Sequence, residues 1–168
     1  MISIDTKDEL SLYNLEGKWN DYIGVQKEVI AVLKRENYFN NNIVINANTG
    51  LNIKINAKGI KETIGTGSRF QKLPKKFKIY KIATLRYLKE IIIAAELIED
   101  NVSNYHANGV YSFAYLKNEI MIDDELVDIR ISIMKRVESN WFWIHHIDEK
   151  RKSPKLLDPS QKTELKEI

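Results

Sequence analysis

From Tyr111 onward, apolar and polar residues alternate with a period of two: Tyr111, Phe113 and Tyr115 share one side, and Val127, Ile129, Ile131 and Ile133 alternate with Asp128, Arg130 and Ser132. Successive side chains point to opposite faces only in an extended chain, so each run predicts a strand with one buried face. Asp123 and Asp124 stand between Ile120 and Leu126, and Glu138 to Asn140 precede Trp141 to Ile147. Turns at these places link the runs into an antiparallel meander. A sheet with one apolar face needs a second layer to cover it.

The N-terminal half supplies that layer. Trp19, Ile23, Val25, Val29, Ile30, Val32 and Leu33 recur at helical spacing and predict an amphipathic helix over about Lys18 to Glu36, closed by Asn40 to Asn42. Ile43 to Ile45 and Leu51 to Ile55 flank NANTG, whose Asn and Gly residues suit the positive φ of a tight hairpin. Lys58 to Ile64 reads as a short helix or turn ended by the glycines of GTG, and Ser68 to Lys78, with Pro74, as a mobile basic loop. Ile79, Ile82, Ala83, Leu85, Leu88, Ile92 and Ala95 mark a second long helix from Ile79 to Ile98. Residues 1–148 are expected to form one domain, and 149–168, with Pro154 and Pro159, a polar tail with a weak helix after Ser160. The fold class expected is α+β, helices covering one face of an antiparallel sheet.

Composition narrows function more than fold. With 168 residues the chain suits one domain, and with 43% apolar and 29% charged residues it is ordinary globular material. The absence of cysteine excludes disulfides and thiolate chemistry. The most apolar run, Glu90 to Ile98, falls far short of the roughly 20 residues that cross a bilayer, so no membrane partner is expected. MISIDTKDEL lacks a basic region followed by an apolar one, and a cytoplasmic site of action is expected. The net charge of +3 conceals an asymmetry. Lys58 to Lys89 holds ten basic residues and one acid, while Glu90 to Asp148 holds four basic and eleven acidic residues. A single-sign block of that density attracts polyanions.

The order hairpin, INAKGIKETI, helix, VYSFAYL, VDIRISIM and WFWIHHI resembles a group of barnase-like domains found in phage head-morphogenesis proteins, in large polyvalent proteins of mobile elements and in bacterial toxin tips. The likeness spans roughly residues 48–148. It implies membership of the barnase, EndoU, colicin and RelE superfamily of metal-independent ribonucleases. Their fold packs helices on a four-stranded, or slightly larger, antiparallel sheet. It also implies an RNA substrate, transfer RNA among the candidates, no cofactor, and delivery within a larger toxin or phage protein with a cognate immunity or antitoxin partner.

Metal-independent RNA cleavage needs a group to take the 2′-hydroxyl proton, another to protonate the leaving 5′-oxygen, and cations to stabilise the phosphorane. Lys58, Lys61, Glu62 and Thr63 open the basic block, and Arg130 and His145 lie on neighbouring predicted strands. Lys58 and Lys61 equally suit a solvated helix face, Thr63 a turn cap, and Glu62 a partner for a nearby lysine. Arg130 is either bonded to Asp128 or a phosphate-facing cation. Strict alternation puts Trp141, Trp143, His145 and Ile147 on one face and Phe142, Ile144 and His146 on the other. The resemblance selects His145, at its aromatic-x-His position, as the acid-base residue; the residue could instead be a hydrogen-bonded structural histidine. His106, in the NYHANG loop, is expected at the surface. No metal site is expected, because opposite-facing histidines ligate poorly together.

In RFQKLPKKFKIYK, Phe70, Phe77 and Tyr80 interleave with cations. Arg69, Lys72, Lys75 and Lys76 are the candidate phosphate contacts, and Phe77 and Tyr80 are expected to dock on the sheet. Two other readings compete with a ribonuclease. One is a non-catalytic nucleic-acid-binding module, and the other a protein-interaction module of the immunity or antitoxin kind.

Overall fold

The computed structural model describes residues 1–65, 69–106 and 109–151. A short strand β1 (Ser3–Ile4) and helix α1 (Thr6–Leu10) precede α2 (Tyr22–Arg35). The hairpin β2 (Ile43–Ile45) and β3 (Asn52–Lys54) follows, then α3 (Ala57–Gly65), α4 (Arg69–Lys72), α5 (Lys75–Thr84), a 3-10 turn (Leu85–Tyr87) and α6 (Leu88–Ala94). Four long strands complete the described residues: β4 (Glu96–His106), β5 (Gly109–Ile122), β6 (Glu125–Arg136) and β7 (Phe142–Arg151).

The α+β class holds, but the four-stranded antiparallel barnase-like sheet does not. Among the described residues, seven strands form one mixed sheet in the order β1-β5-β6-β7-β3-β2, with β4 also on β5. β1 runs parallel to β5 and β3 parallel to β7, while the other pairs are antiparallel. The physical reason lies in the hairpin. A two-stranded hairpin is marginal alone, and Val44, Ile53 and Ile55 bury completely or nearly so by extending the meander's apolar face. Ile53 stands beside Phe142 in the parallel register, both facing the core.

Local chemistry explains most boundaries. Asp21 caps α2 by accepting the amide of Gly24, which delays the helix to Tyr22 from the Lys18 expected. The expected basic loop is instead α4 and the first turn of α5, which starts directly after Pro74, as a residue lacking an N–H and biased toward helical φ allows. The helix expected to reach Ile98 stops at Ala94. Buried Asn46 donates to the carbonyls of Ile92 and Ala95, and Asn48 to that of Ala95, so hairpin side chains cap the helix and Ala95 turns extended. The hairpin and the turn at Asp123–Asp124, both with positive φ (48° and 64°), match expectation. The expected tail helix and the Ser68 and GTG turn lie partly or wholly outside the described residues.

The core lies between the helices and one face of the sheet. Ala114, Leu116, Ile120 and Ile122 of β5 and Val127, Ile129, Ile131 and Ile133 of β6 meet Val25, Val29, Leu33, Ile82, Leu88 and Ile92 there. β7 is different from its neighbours: β3 pairs with it only at Phe142 and Trp143. Beyond Trp143 its free edge is covered by α3 and α5 rather than by a strand.

Candidate functional site

The free edge of β7 carries a bulge. Ser132 pairs with His146 and Ile133 with Ile144, so His145 is the extra residue. Phe142 and Ile144 bury toward the core before the bulge, and Ile147 and the Glu149 side chain after it. Strict alternation therefore fails, and with it the expectation that His146 faces away from the side of His145. A bulge re-aims side chains, and here it turns His146 and Asp148 toward a cleft at the strand edge.

That cleft is lined by Glu62, Thr63, Arg69, Lys81, His146 and Asp148, with Phe70 as apolar wall. It encloses about 50 Å³, room for a few water-sized groups at 10–15 Å³ or more each. His146 Nε2 and Asp148 Oδ1 are 2.9 Å apart. This bond, ahead of the pull of Lys81 and Arg69, holds the Asp148 carboxyl down at about 2. On the other side of the bulge, His145 Nδ1 lies 3.9 Å from Glu62 Oε2, an ion-pair distance that a hydrogen bond would shorten. His145 also meets the ring of Phe113 edge-on at 5.5 Å.

Two features position this edge. Gly59 of α3 lies against the strand so closely that a Cβ there would sit 2.9 Å from the Ile144 carbonyl oxygen. Lys81 of α5 donates to the carbonyl of Ile147 and pairs with Glu149 at 3.2 Å, both side chains buried. Lys81 thus supplies a hydrogen-bond partner where no strand does. Burial pushes the Glu149 carboxyl up, and Lys81 opposes that shift.

The sequence candidates scatter around this cleft. Thr63 and Arg69 line it; the Thr63 hydroxyl donates to the Gly59 carbonyl, so its proton is committed within α3. Lys58 and Lys61 are exposed on α3 and do not line the cleft. Arg130 points away from the core, 3.4 Å from Asp128, and borders a separate hollow that shares Asp148 with the cleft. Lys72 and Lys75 are exposed, whereas Lys76 is bound to Glu125 at 2.8 Å. Phe70 and Tyr80 are buried and Phe77 packs against the core, as a docked helix face requires.

Folding takes up part of the basic block, and Lys76, Lys81 and Arg86 gain acidic partners. Lys81 pairs with Glu149, Arg86 with Glu9 and Glu36, and buried Lys78 donates to the Trp19 carbonyl and to Asn20. Lys81 and Glu149 are the site residues that the sequence reading missed, and period two set His146 on the wrong side. The signal was present: apolar Phe142, Ile144 and Ile147 break the alternation by one residue. Among the described residues, no three His, Asp or Glu side chains converge as a metal ion would need.

Among the described residues no helix is long and apolar enough to cross a membrane. No curated protein and no solved structure matches the chain. The model of one family, large polyvalent protein-associated domain 3, matches residues 25–142, more than half of the chain. The match fits a setting in phages or mobile elements, within larger proteins. It ends at Phe142, so His145, His146 and Asp148 lie just beyond the matched residues. The chain belongs to the family of large polyvalent protein-associated domain 3.

Proposed function

We propose that this domain is a metal-independent, toxin-like ribonuclease that cleaves RNA through the ribose 2′-hydroxyl, with transfer RNA a candidate substrate. The observation that supports it best is the pairing of two histidines with two carboxylates around one bulge, His146 with Asp148 and His145 with Glu62, beside Arg69. With Nε2–H donated to Asp148, the Nδ1 of His146 is the nitrogen able to take the 2′-hydroxyl proton. His145 then returns a proton to the leaving 5′-oxygen, and Arg69 neutralises charge on the phosphorane. The cleft has room for phosphoryl oxygens rather than for a nucleotide, so bases would lie outside it. Such a role brings with it a cognate immunity or antitoxin protein.

One observation favours binding without cleavage as a second reading. Lys58, Lys61, Lys72 and Lys75 are exposed and have no acidic partner among the described residues, which suits phosphate contact whatever the cleft does. Substitution separates the two. His146→Ala and His145→Ala should each lower cleavage about 10²-fold with RNA affinity nearly unchanged, and His146→Ala should also lose the stability that its bond to Asp148 supplies. Cleavage at the wild-type rate in both variants moves the chemistry elsewhere, and no cleavage by the wild type leaves the binding module.

A further inference from the structure

We infer that the sheet face turned away from the core is a stacking surface for single-stranded RNA, an inference that rests on RNA being the ligand of this domain. The register sets Lys54, Trp143, Met134 and Phe113 side by side across β3, β7, β6 and β5, all on that face. Arg136 and Tyr111 pair in the adjacent row. Phe113 and Met134 are buried and lie outside the main core cluster, so they support the row from beneath while Lys54, Trp143 and Trp141 are its accessible members. Trp141 is 46% exposed at its edge. The rings are interleaved with cations: Lys54 Nζ lies 5.8 Å from the Trp141 ring and the Arg136 guanidinium 5.9 Å from the Tyr111 ring, while Tyr111 meets Trp143 edge-on at 6.1 Å. The row ends at buried Phe113, against which His145 of the bulge packs.

The occupant follows from the chemistry. Cores of protein interfaces are depleted in lysine, yet Lys54 stands between two tryptophans here. Single strands call for that mixture, because unpaired bases stack on rings while cations meet the phosphates between them. A duplex, with its bases already stacked, has no such use for the rings.

The test uses the whole chain and a labelled single-stranded 2′-O-methyl oligonucleotide of about ten residues, which lacks the 2′-hydroxyl and is not cleaved. Fluorescence anisotropy should show Trp141→Ala weakening binding about tenfold or more, with the melting temperature unchanged because the ring is half exposed. Lys54→Gln should reduce the slope of log K against log salt by about 0.7. A matching duplex should lose far less on Trp141→Ala. Binding insensitive to both substitutions, yet lowered by Lys72→Gln and Lys75→Gln, would overturn this surface and leave RNA as the ligand. No binding of any oligonucleotide overturns both, and self-association abolished by Trp141→Ala would assign the face to a second copy of the chain.

Discussion

Replacing Lys81 by Met should uncouple the free edge of β7 from α5. The side chains of Lys81 and Glu149 are only 4% and 2% exposed, and their nitrogen and oxygen are 3.2 Å apart. Removing one member of a buried pair costs about 3–5 kcal/mol, because the other charge stays behind without compensation. For a chain of this size that corresponds to a fall in melting temperature of roughly 6–20 °C. The pH dependence gives a sharper reading. The folded-state pKa of Glu149 is raised, chiefly by burial, so the stability linked to it is fully present below its unfolded value and is lost as pH rises through the folded one. Lys81 limits that loss in the wild type. Without it the folded-state value rises further, so urea titrations should find Lys81→Met nearly as stable as wild type approaching pH 4, close to the usual glutamate value of about 4.3, and much weaker at neutrality. Lys81→Met combined with Glu149→Leu should recover most of the loss, as hydrophobic replacement of buried pairs does. A single variant with wild-type stability at neutral pH, or with a deficit independent of pH, would refute the reasoning.

Other consequences are simpler to read. Gly59→Ala puts a Cβ against the Ile144 carbonyl, so α3 must withdraw from the strand; denaturation should show a loss of about 1–3 kcal/mol, and cleavage should fall with it. Asp148 has its pKa lowered to about 2 by the bond from His146, so it contributes stability above the unfolded value that is lost as pH falls through the folded one. Asp148→Asn should therefore flatten the acid limb of the stability curve between about pH 4 and pH 2. Lys72→Gln with Lys75→Gln should make the salt slope of RNA binding shallower by about 1.4, given about 0.7 per phosphate contact to a single strand. Lys76→Gln should matter less, because Glu125 already holds that cation.

The legible parts of the fold were those in which a local pattern and a tertiary outcome agree. β5 and β6 alternate strictly over a continuous register from Tyr111↔Arg136 to Ile122↔Glu125, and the period of two found them. β4 escaped because its first residues, Glu96 to Glu99, are exposed and carry no alternation of burial. The end of the second helix escaped because Asn46 and Asn48 impose it from nearly 50 residues away. Parallel addition of β3 to β7 has no local signature, and it turned an expected barnase-like sheet into a mixed one. Thr63 and Arg69 of the sequence candidates do line the cleft, but its centre was obscured by one inserted residue. Counting by twos past His145 sends His146 to the wrong side. Charge was legible only in part: Lys76, Lys81 and Arg86 of the basic block become ion pairs once Glu9, Glu36, Glu125 and Glu149 are brought up to them, while Lys58, Lys61, Lys72 and Lys75 stay exposed.

The most direct measurement is incubation of the purified chain with labelled RNA in excess EDTA, followed by analysis of the cleaved ends. The predicted result is cleavage that survives chelation, leaves a 2′,3′-cyclic phosphate and falls about 10²-fold in His146→Ala. Intact RNA across the range in which histidine titrates, or cleavage that stops on chelation and returns with magnesium, would contradict the proposed chemistry.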